Sequence, residues 1–229
     1  MSEIPSIPEN TATELASFAT RIVNRGLAAG PGGNLSVRDG ERIWISPSGY
    51  PLDMIERNDW VPMDIASGGT ERSGPRPSSE FEMHLEIYRV RPDVNAVVHT
   101  HPPITIGVIS AGIREIPPMF PDFVAIAGTI GAIDYVIPCS PELAAAVRHE
   151  IRDPAMNALL MRNHGLLAVG GSVREAYYRT EVIEEAARIF WVARSVGTPQ
   201  VLSAADSAAI LDLDAERYRK QLLAQPNPA

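Results

Sequence analysis

Residues 97–103 read VVHTHPP, an apolar run that carries two histidines one residue apart and ends in two prolines. Successive side chains of a β-strand point to opposite faces, so His99 and His101 are predicted to project to the same side, about 6–7 Å apart at Cα. That spacing lets both imidazoles bind one cation. Taken alone, the pair is also compatible with two partly buried histidines that are hydrogen-bonded to the backbone.

A third histidine strengthens the metal interpretation. His164 stands between Asn163 and Gly165 at the predicted end of another strand. Three histidines at strand ends are a ligand set of catalytic Zn²⁺ sites, with a fourth position left for substrate or a carboxylate. Imidazole also binds other divalent transition metals such as Mn²⁺ or Co²⁺, so the sequence leaves the identity of the metal open.

Turns rich in glycine and serine supply candidate groups for binding an anion. The segment PSSE, residues 77–80, opens a predicted helix, and the free N–H groups of a first helical turn attract anions. The turns GPGGNLS (30–36) and SPSGY (46–50) can bring backbone N–H groups close to a phosphate. Each segment also has an ordinary interpretation, since serines cap helices, acidic residues such as Glu80 compensate the helix dipole, and glycine-rich turns reverse the chain.

The periodicity of apolar residues predicts a mixed order of helices and strands. Helices are predicted over 11–28, 79–90, 104–111, 141–152 and 172–196, with a final helix or tail over 206–225. Strands are predicted over 35–38 and 42–46 as a hairpin, over 95–100, as a pair within 128–138, and over 158–162 with a continuation through 166–169. This order predicts α/β layers rather than a regular βαβ repeat, and no linker divides the 229 residues, which are predicted to form a single domain.

Composition excludes several classes of function. The net charge is −8 and no cluster of Lys or Arg stands out, which argues against nucleic acid or an anionic membrane surface as partner. A small phosphorylated molecule remains possible as a ligand. The single cysteine, Cys139, excludes an intrachain disulfide and a multi-thiolate zinc site, and is predicted to be a small core residue. Neither a signal peptide nor an apolar run of about 18 residues is present, so a cytoplasmic location is expected.

The order of the motifs is more specific than any one of them. GGNLS, SPSG, PSSE, HTH and NHGL follow one another in a series that resembles the class II aldolase/adducin family, over about residues 11–197. The resemblance implies an α/β/α sandwich with a central, mostly antiparallel sheet, followed by a C-terminal helix or tail over 198–229. It also implies a homotetramer with active sites at subunit interfaces.

The resemblance also assigns roles to particular residues. His99, His101 and His164 correspond to the zinc ligands, and Glu80 to the general base. The phosphate of the substrate would be bound by Asn34, Ser48, Gly49, Ser78 and Ser79. The implied activity is a zinc-dependent cleavage of a ketose 1-phosphate to dihydroxyacetone phosphate and an aldehyde, through a metal-stabilised enediolate.

Other branches of the family provide alternatives. Where the family aldolases carry a tyrosine as proton donor from the neighbouring subunit, residues 116–128 offer Asp122 or Phe123, and Asp122 is the candidate. A decarboxylase, a 4-epimerase or a dehydratase acting on a related sugar or sugar-acid phosphate is therefore the second hypothesis, although Glu80 stands where the epimerases carry aspartate. A non-catalytic, adducin-like oligomerisation module is the third, and the intact histidines argue against it.

Several other residues receive less specific predictions. Tyr218, near the C-terminus, is a candidate for closing over the cavity, although an exposed position on a terminal helix is the simpler expectation. His84 and His149 are predicted to lie on helices without a catalytic role. The acidic residues of the long helix, Glu184 among them, are assigned to solvated faces.

Overall fold

In the computed structural model, which describes residues 6–70 and 74–224, seven strands form one sheet. They are β1 (Asn34–Asp39), β2 (Arg42–Ile45), β3 (Val61–Asp64), β4 (Ala96–Thr100), β5 (Thr129–Ile133), β6 (Met156–Met161) and β7 (Gly165–Gly170). Their order across the sheet is β3-β2-β1-β4-β7-β6-β5. All neighbouring pairs are antiparallel except β5 and β6, which run parallel. The predicted, mostly antiparallel sheet is confirmed.

Helices cover both faces of this sheet. The described part of the chain contains α1 (Glu9–Asn24), α2 (Phe81–Val90), α3 (Pro103–Ser110), α4 (Pro141–Ile151), α5 (Val173–Val196), α6 (Ala204–Asp212) and α7 (Asp214–Ala224). Val97 and Val98 of β4 point to opposite faces and therefore join different cores. Val98 packs with residues of α1 and α5, whereas Val97 packs with residues of α2 and α4. The expected α/β/α layers are confirmed.

Two local predictions were wrong, and one strand was not predicted. Residues 128–138 hold one strand, β5, and not a strand pair. The strand over 158–162 does not continue through 166–169, because the chain turns at residues 162–164 and β7 runs back antiparallel to β6. Asn163 adopts φ 55°, a backbone conformation that asparagine tolerates in tight turns. The strand β3 was not predicted because it contains Pro62, which is compatible with its position at the sheet edge.

The long helix α5 fixes the start of α3 through a buried carboxylate. Glu184 is 5% exposed, and it accepts hydrogen bonds from the backbone N–H groups of Ile104 and Thr105 at 3.0 and 2.8 Å. A carboxylate at this position satisfies free N–H groups of the first helical turn and complements the helix dipole. The prediction that Glu184 lies on a solvated face was therefore wrong. Among the described residues, no helix is both long and apolar enough to span a membrane.

Candidate active site

The register of three strands brings the site residues to one end of the sheet. β1 pairs with β4 so that Asn34 lies opposite His99, and β4 pairs with β7 so that His99 lies opposite Leu167. The start of β1, the end of β4 and the turn before β7 therefore meet. His164 lies in that turn, and His101 follows directly after β4.

The three predicted histidines and Glu80 converge on one point. His99 Nε2 lies 3.1 Å from His101 Nε2 and 3.2 Å from Glu80 Oε2. His164 Nε2 lies 3.0 Å from Glu80 Oε1, and the four possible ligand atoms all lie within 4.8 Å of one another. His99 Nδ1–H donates to the carbonyl of Leu166 at 3.1 Å, which leaves the lone pair of its Nε2 directed at the cluster.

The donor set fits a divalent transition metal. Glu80 Oε1 is buried 3.0 Å from His164 Nε2, and His164 Nδ1 is buried without a hydrogen-bond partner among the described residues. A cation between the buried carboxylate and the imidazole nitrogens would stabilise both. Three imidazoles and one carboxylate suit Zn²⁺ and also its neighbours in the first transition row. The site residues therefore form a candidate metal centre.

The electrostatics of the cluster favour the metal-binding protonation states of Glu80 and His101. Burial opposes ionisation of Glu80, but the electrostatic interaction with His99 and the close contacts with His164 and His99 outweigh it and lower the pKa of this carboxyl group. Burial, together with repulsion from His99 and His164, lowers the pKa of His101 to about 4 against the weaker opposite effect of Glu80. At neutral pH, Glu80 is thus a carboxylate and His101 a neutral imidazole.

A cavity of about 280 Å³ opens beside this cluster, and all the predicted phosphate-binding residues line it. Two turns form its wall, because the Ser48 N–H donates to the carbonyl of Arg76 and the Ser78 N–H donates to that of Ser46, both at 2.9 Å. Gly49 has φ 81°, which favours glycine at this turn. Asn34 lines the cavity too, but its Nδ2 donates to Glu80 Oε2 at 3.0 Å, so its amide is already engaged.

Asp122 lies apart from the histidine cluster. It precedes a π-helical segment, Phe123–Ala127, and its carboxylate pairs with Arg219 of α7 at 2.7 Å. Among the described residues that line the cavity, neither Asp122 nor Phe123 occurs. A catalytic role for Asp122 therefore remains a prediction that requires a neighbouring subunit. Tyr218 is exposed on α7, as the simpler expectation had it.

Cys139 is not the core residue that we predicted. It is exposed, adopts φ 61°, and lines the cavity together with Pro138. The sequence contains no local signal for this position, because the burial of a small apolar residue in a loop depends on neighbours that are distant in the chain.

Glycines keep the segments of the site close together. A Cβ atom added to Gly33 would approach the carbonyl oxygen of His99 to 3.0 Å. One added to Gly165 would lie 2.4 Å from the carbonyl oxygen of Thr100 and 3.0 Å from Cε1 of His99. Since real Cβ atoms do not come this close to backbone, the NHGL motif needs glycine for packing against the histidine strand.

We expect the Gly165→Ala substitution to weaken metal binding and to lower the free energy of unfolding by about 1–3 kcal/mol, because strand β4 must shift to accommodate the methyl group. Chelator competition and denaturant unfolding would measure the two effects. Gly107→Ala in α3 is the matched control, since a Cβ atom there meets nothing within 4 Å. It should leave metal affinity unchanged, and equal affinities of both variants would contradict the close-packing argument.

The sequence of this chain matches a known protein family over most of its length. Residues 13–191 match the family described as class II aldolase and adducin N-terminal domain. The chain belongs to the class II aldolase/adducin family. The resemblance expected from the order of the motifs is thus confirmed, and the matched region contains the three histidines, Glu80 and the cavity turns.

Individual members of the family give the same result. An L-fuculose phosphate aldolase of Methanococcus maripaludis is 35% identical over 181 residues, which cover 79% of this chain and 96% of that protein. A 5-methylthioribulose-1-phosphate/5-deoxyribulose-1-phosphate aldolase of Rhodospirillum rubrum is 36% identical over 203 residues, covering 86% and 88%. A solved L-fuculose 1-phosphate aldolase superposes with a TM-score of 0.80 at 28% identity, covering 93% of this chain and 98% of the other. These relatives are aldolases, which are carbon–carbon lyases.

Behind Glu80 lies a buried histidine whose environment the sequence did not reveal. His84 is 0% exposed, and burial, with a smaller effect of His99, lowers its pKa to about 3 against the opposite effect of Glu80. The ring is therefore neutral in the folded protein at pH values where an exposed histidine takes up a proton.

This shift predicts a loss of stability in mild acid. Below about pH 6.5 the unfolded chain protonates His84 and the folded chain does not, so the free energy of unfolding should fall by up to about 1.4 kcal/mol per pH unit until about pH 3. Denaturant unfolding of metal-free protein between pH 7 and 4 would measure the slope. His84→Gln should flatten it, whereas His149→Gln, which removes an exposed histidine, should not. Equal slopes in all three proteins would contradict the assignment.

Proposed function

We propose that the protein is a zinc-dependent class II aldolase that cleaves a ketose 1-phosphate to dihydroxyacetone phosphate and an aldehyde. The observation that carries this proposal is the position of Glu80. Its carboxylate contacts His99 and His164 and also lines the cavity whose wall holds Ser48 and Ser79. A base, a metal centre and a polar wall suited to phosphate thus share one small cavity.

The residues of the chain would act in the following way. The hydroxyl groups of Ser48, Ser78 and Ser79, with the N–H groups of residues 49 and 79, bind the phosphate and orient the sugar, which contributes positioning rather than chemistry. When the C3–C4 bond breaks, the Glu80 carboxylate accepts the proton of the C4 hydroxyl, the aldehyde leaves, and the electron pair of the bond remains on the dihydroxyacetone phosphate fragment as an enediolate. Glu80, now protonated, then delivers this proton to C3. In the direction of synthesis, the Glu80 carboxylate removes that proton.

The histidine cluster would hold the metal for this reaction. A divalent cation bound there supplies Lewis acidity for negative charge that develops on neighbouring substrate oxygens. Zinc is the metal that we propose, because three histidine imidazoles with a fourth position open for substrate are a ligand set of catalytic zinc sites.

A cleavage assay on zinc-loaded protein tests the proposal. The panel of substrates would contain the 1-phosphates of fuculose, rhamnulose, ribulose and 5-deoxyribulose, with release of dihydroxyacetone phosphate as readout. Release from any of them would establish the aldolase and identify the aldehyde that the cavity accepts. No release with zinc bound would reject the aldolase and favour decarboxylation, epimerisation or dehydration, and Asp122 would then be the next residue to substitute.

We also propose that the protein acts as a homotetramer with sites at the subunit interfaces. The support within this chain is the exposed apolar surface at the end of α5, where Trp191 is 57% and Val196 83% exposed. Large apolar side chains that are exposed in a single chain are often covered by a neighbouring subunit. Light scattering after gel filtration would measure the mass in solution, and a monomer of 24.8 kDa would contradict the proposal.

A further inference from the structure

A chain of buried polar side chains runs from Glu80 into the interior. Glu80, His84 and Tyr88 are spaced four residues apart, so α2 presents them on one face, with Glu80 just before its first residue. Asn34 and Ser36 are two residues apart in β1 and point to the same side of the sheet. The helix face therefore lies against the strand face. The side chains of these five residues are joined by hydrogen bonds across this contact.

The distances define a continuous path. Asn34 Nδ2 lies 3.0 Å from Glu80 Oε2, and Asn34 Oδ1 lies 2.5 Å from His84 Nε2. His84 Nδ1 lies 2.7 Å from Ser36 Oγ, which in turn lies 2.9 Å from the Tyr88 hydroxyl. Each of these five residues is at most 7% exposed.

With a neutral His84 ring, the hydrogen bonds of the path run in one direction from Ser36 to Glu80. Because the Glu80 carboxylate can only accept, Asn34 must donate its amide N–H and turn its Oδ1 to His84. His84 must then carry its proton on Nε2, so its Nδ1 accepts from the Ser36 hydroxyl. Tyr88 donates to Ser36, whose Oγ and carbonyl oxygen lie 2.9 and 3.0 Å from the Tyr88 oxygen. The donors of Asn34, His84 and Ser36 therefore point towards Glu80.

We propose that His84 is a positioning residue that, backed by Ser36 and Tyr88, fixes the amide of Asn34 and through it the Glu80 carboxylate. The inference rests on the proposed function of Glu80 as base. A free asparagine amide can turn its oxygen towards the carboxylate, which would repel it, whereas the Nε2–H group of His84 excludes that orientation. Buried hydrogen-bond networks of this kind rigidify a site when every member is satisfied.

The first test does not depend on activity. Two-bond ¹H–¹⁵N spectra of the metal-free protein report which ring nitrogen of each histidine carries the proton, and the signals of His84 are those that disappear in His84→Gln. We expect a neutral ring with the proton on Nε2. A proton on Nδ1, or a cationic ring at neutral pH, would overturn the proposal.

The second test measures exchange of the C3 proton of dihydroxyacetone phosphate in deuterated water. His84→Phe should keep one zinc per chain and leave KM within about twofold, but lower the rate constant for exchange by about 10- to 100-fold. His84→Gln, which can still donate to Asn34, should recover most of the rate. A loss of bound zinc together with the loss of exchange in His84→Phe would contradict a positioning role. Equal exchange rates in His84→Phe and His84→Gln would contradict it as well.

Two further comparisons separate positioning from general damage. In an Asn34→Ala background, His84→Phe should cause no additional loss of exchange, since the path is already interrupted, and additive losses would refute action through Asn34. If His84→Phe does not fold, Tyr88→Phe removes only the outer donor and should slow exchange by a few-fold. Tyr177→Phe is the matched control, because Tyr177 is a buried tyrosine of α5 in a different core. This variant should exchange at the native rate. Equal exchange rates in these two tyrosine variants would also overturn the proposal.

Failure of this inference and failure of the proposed function give different results. If the ring of His84 carries its proton on Nε2 but no exchange or cleavage occurs, the network exists and the aldolase is rejected. If exchange is fast in the native protein and unchanged in the His84 variants, the aldolase stands and the positioning role is rejected.

Discussion

Replacing His99 by alanine is expected to abolish stoichiometric zinc binding and to lower the rate of aldol cleavage by about 10³-fold or more. His99 lies at the centre of the cluster, because its Nε2 is within 3.2 Å of both His101 and Glu80. The imidazole of His99 is 0% exposed, so its removal leaves a buried empty volume between two imidazoles and a carboxylate. Since a bound cation contributes several kcal/mol to such a reaction, activity should disappear with the metal.

The measurement is the ratio of zinc to protein by elemental analysis, together with the cleavage rate. His149→Ala is the matched control, because His149 lies on α4 with its side chain 67% exposed and outside the cavity lining. It should keep the metal and the rate. A His99→Ala protein that retains one zinc per chain would show that the three-histidine assignment is wrong.

Glu80→Gln is expected to keep zinc and the fold but to slow exchange of the C3 proton of dihydroxyacetone phosphate by about 10²-fold or more. Glutamine has nearly the same shape, and its carbonyl oxygen can still accept the hydrogen bond that Asn34 donates to Glu80. It has no carboxylate, however, and therefore cannot take up the proton. Binding and proton transfer are thus separated in one variant.

Exchange in deuterated water, followed by NMR, measures this step without an aldehyde. Glu82→Gln provides the control, since Glu82 is an exposed carboxylate in the first turn of the same helix. The Glu82→Gln variant should exchange the C3 proton at the native rate. If Glu80→Gln also exchanged within about threefold of the native rate, another group would be the base.

Much of the fold could be predicted from local patterns. The hairpin of β1 and β2, the helix α5 with Ser172 as its N-cap, and the strand that carries His99 all occur within a few residues of their predicted bounds. These features depend on the alternation, capping and turn preferences of neighbouring residues. The hairpin at Asn163 was missed, because its turn consists of residues that the sequence also allows in a continuous strand.

The sequence by itself predicted that His99 and His101 point to one side, since strand alternation is a local pattern. His101 lies just past the end of β4, where its N–H donates to the carbonyl of Leu27. The order of the five motifs also sufficed to recognise the family. Only the tertiary structure decided which residues support Glu80. Asn34 and His84 meet across 50 positions of sequence because α2 lies against β1, and no local pattern encodes that contact. The same holds for Glu184 at the start of α3 and for Asp122, which pairs with Arg219. Contacts of this kind depend on how whole elements pack, and packing is a property of the folded chain.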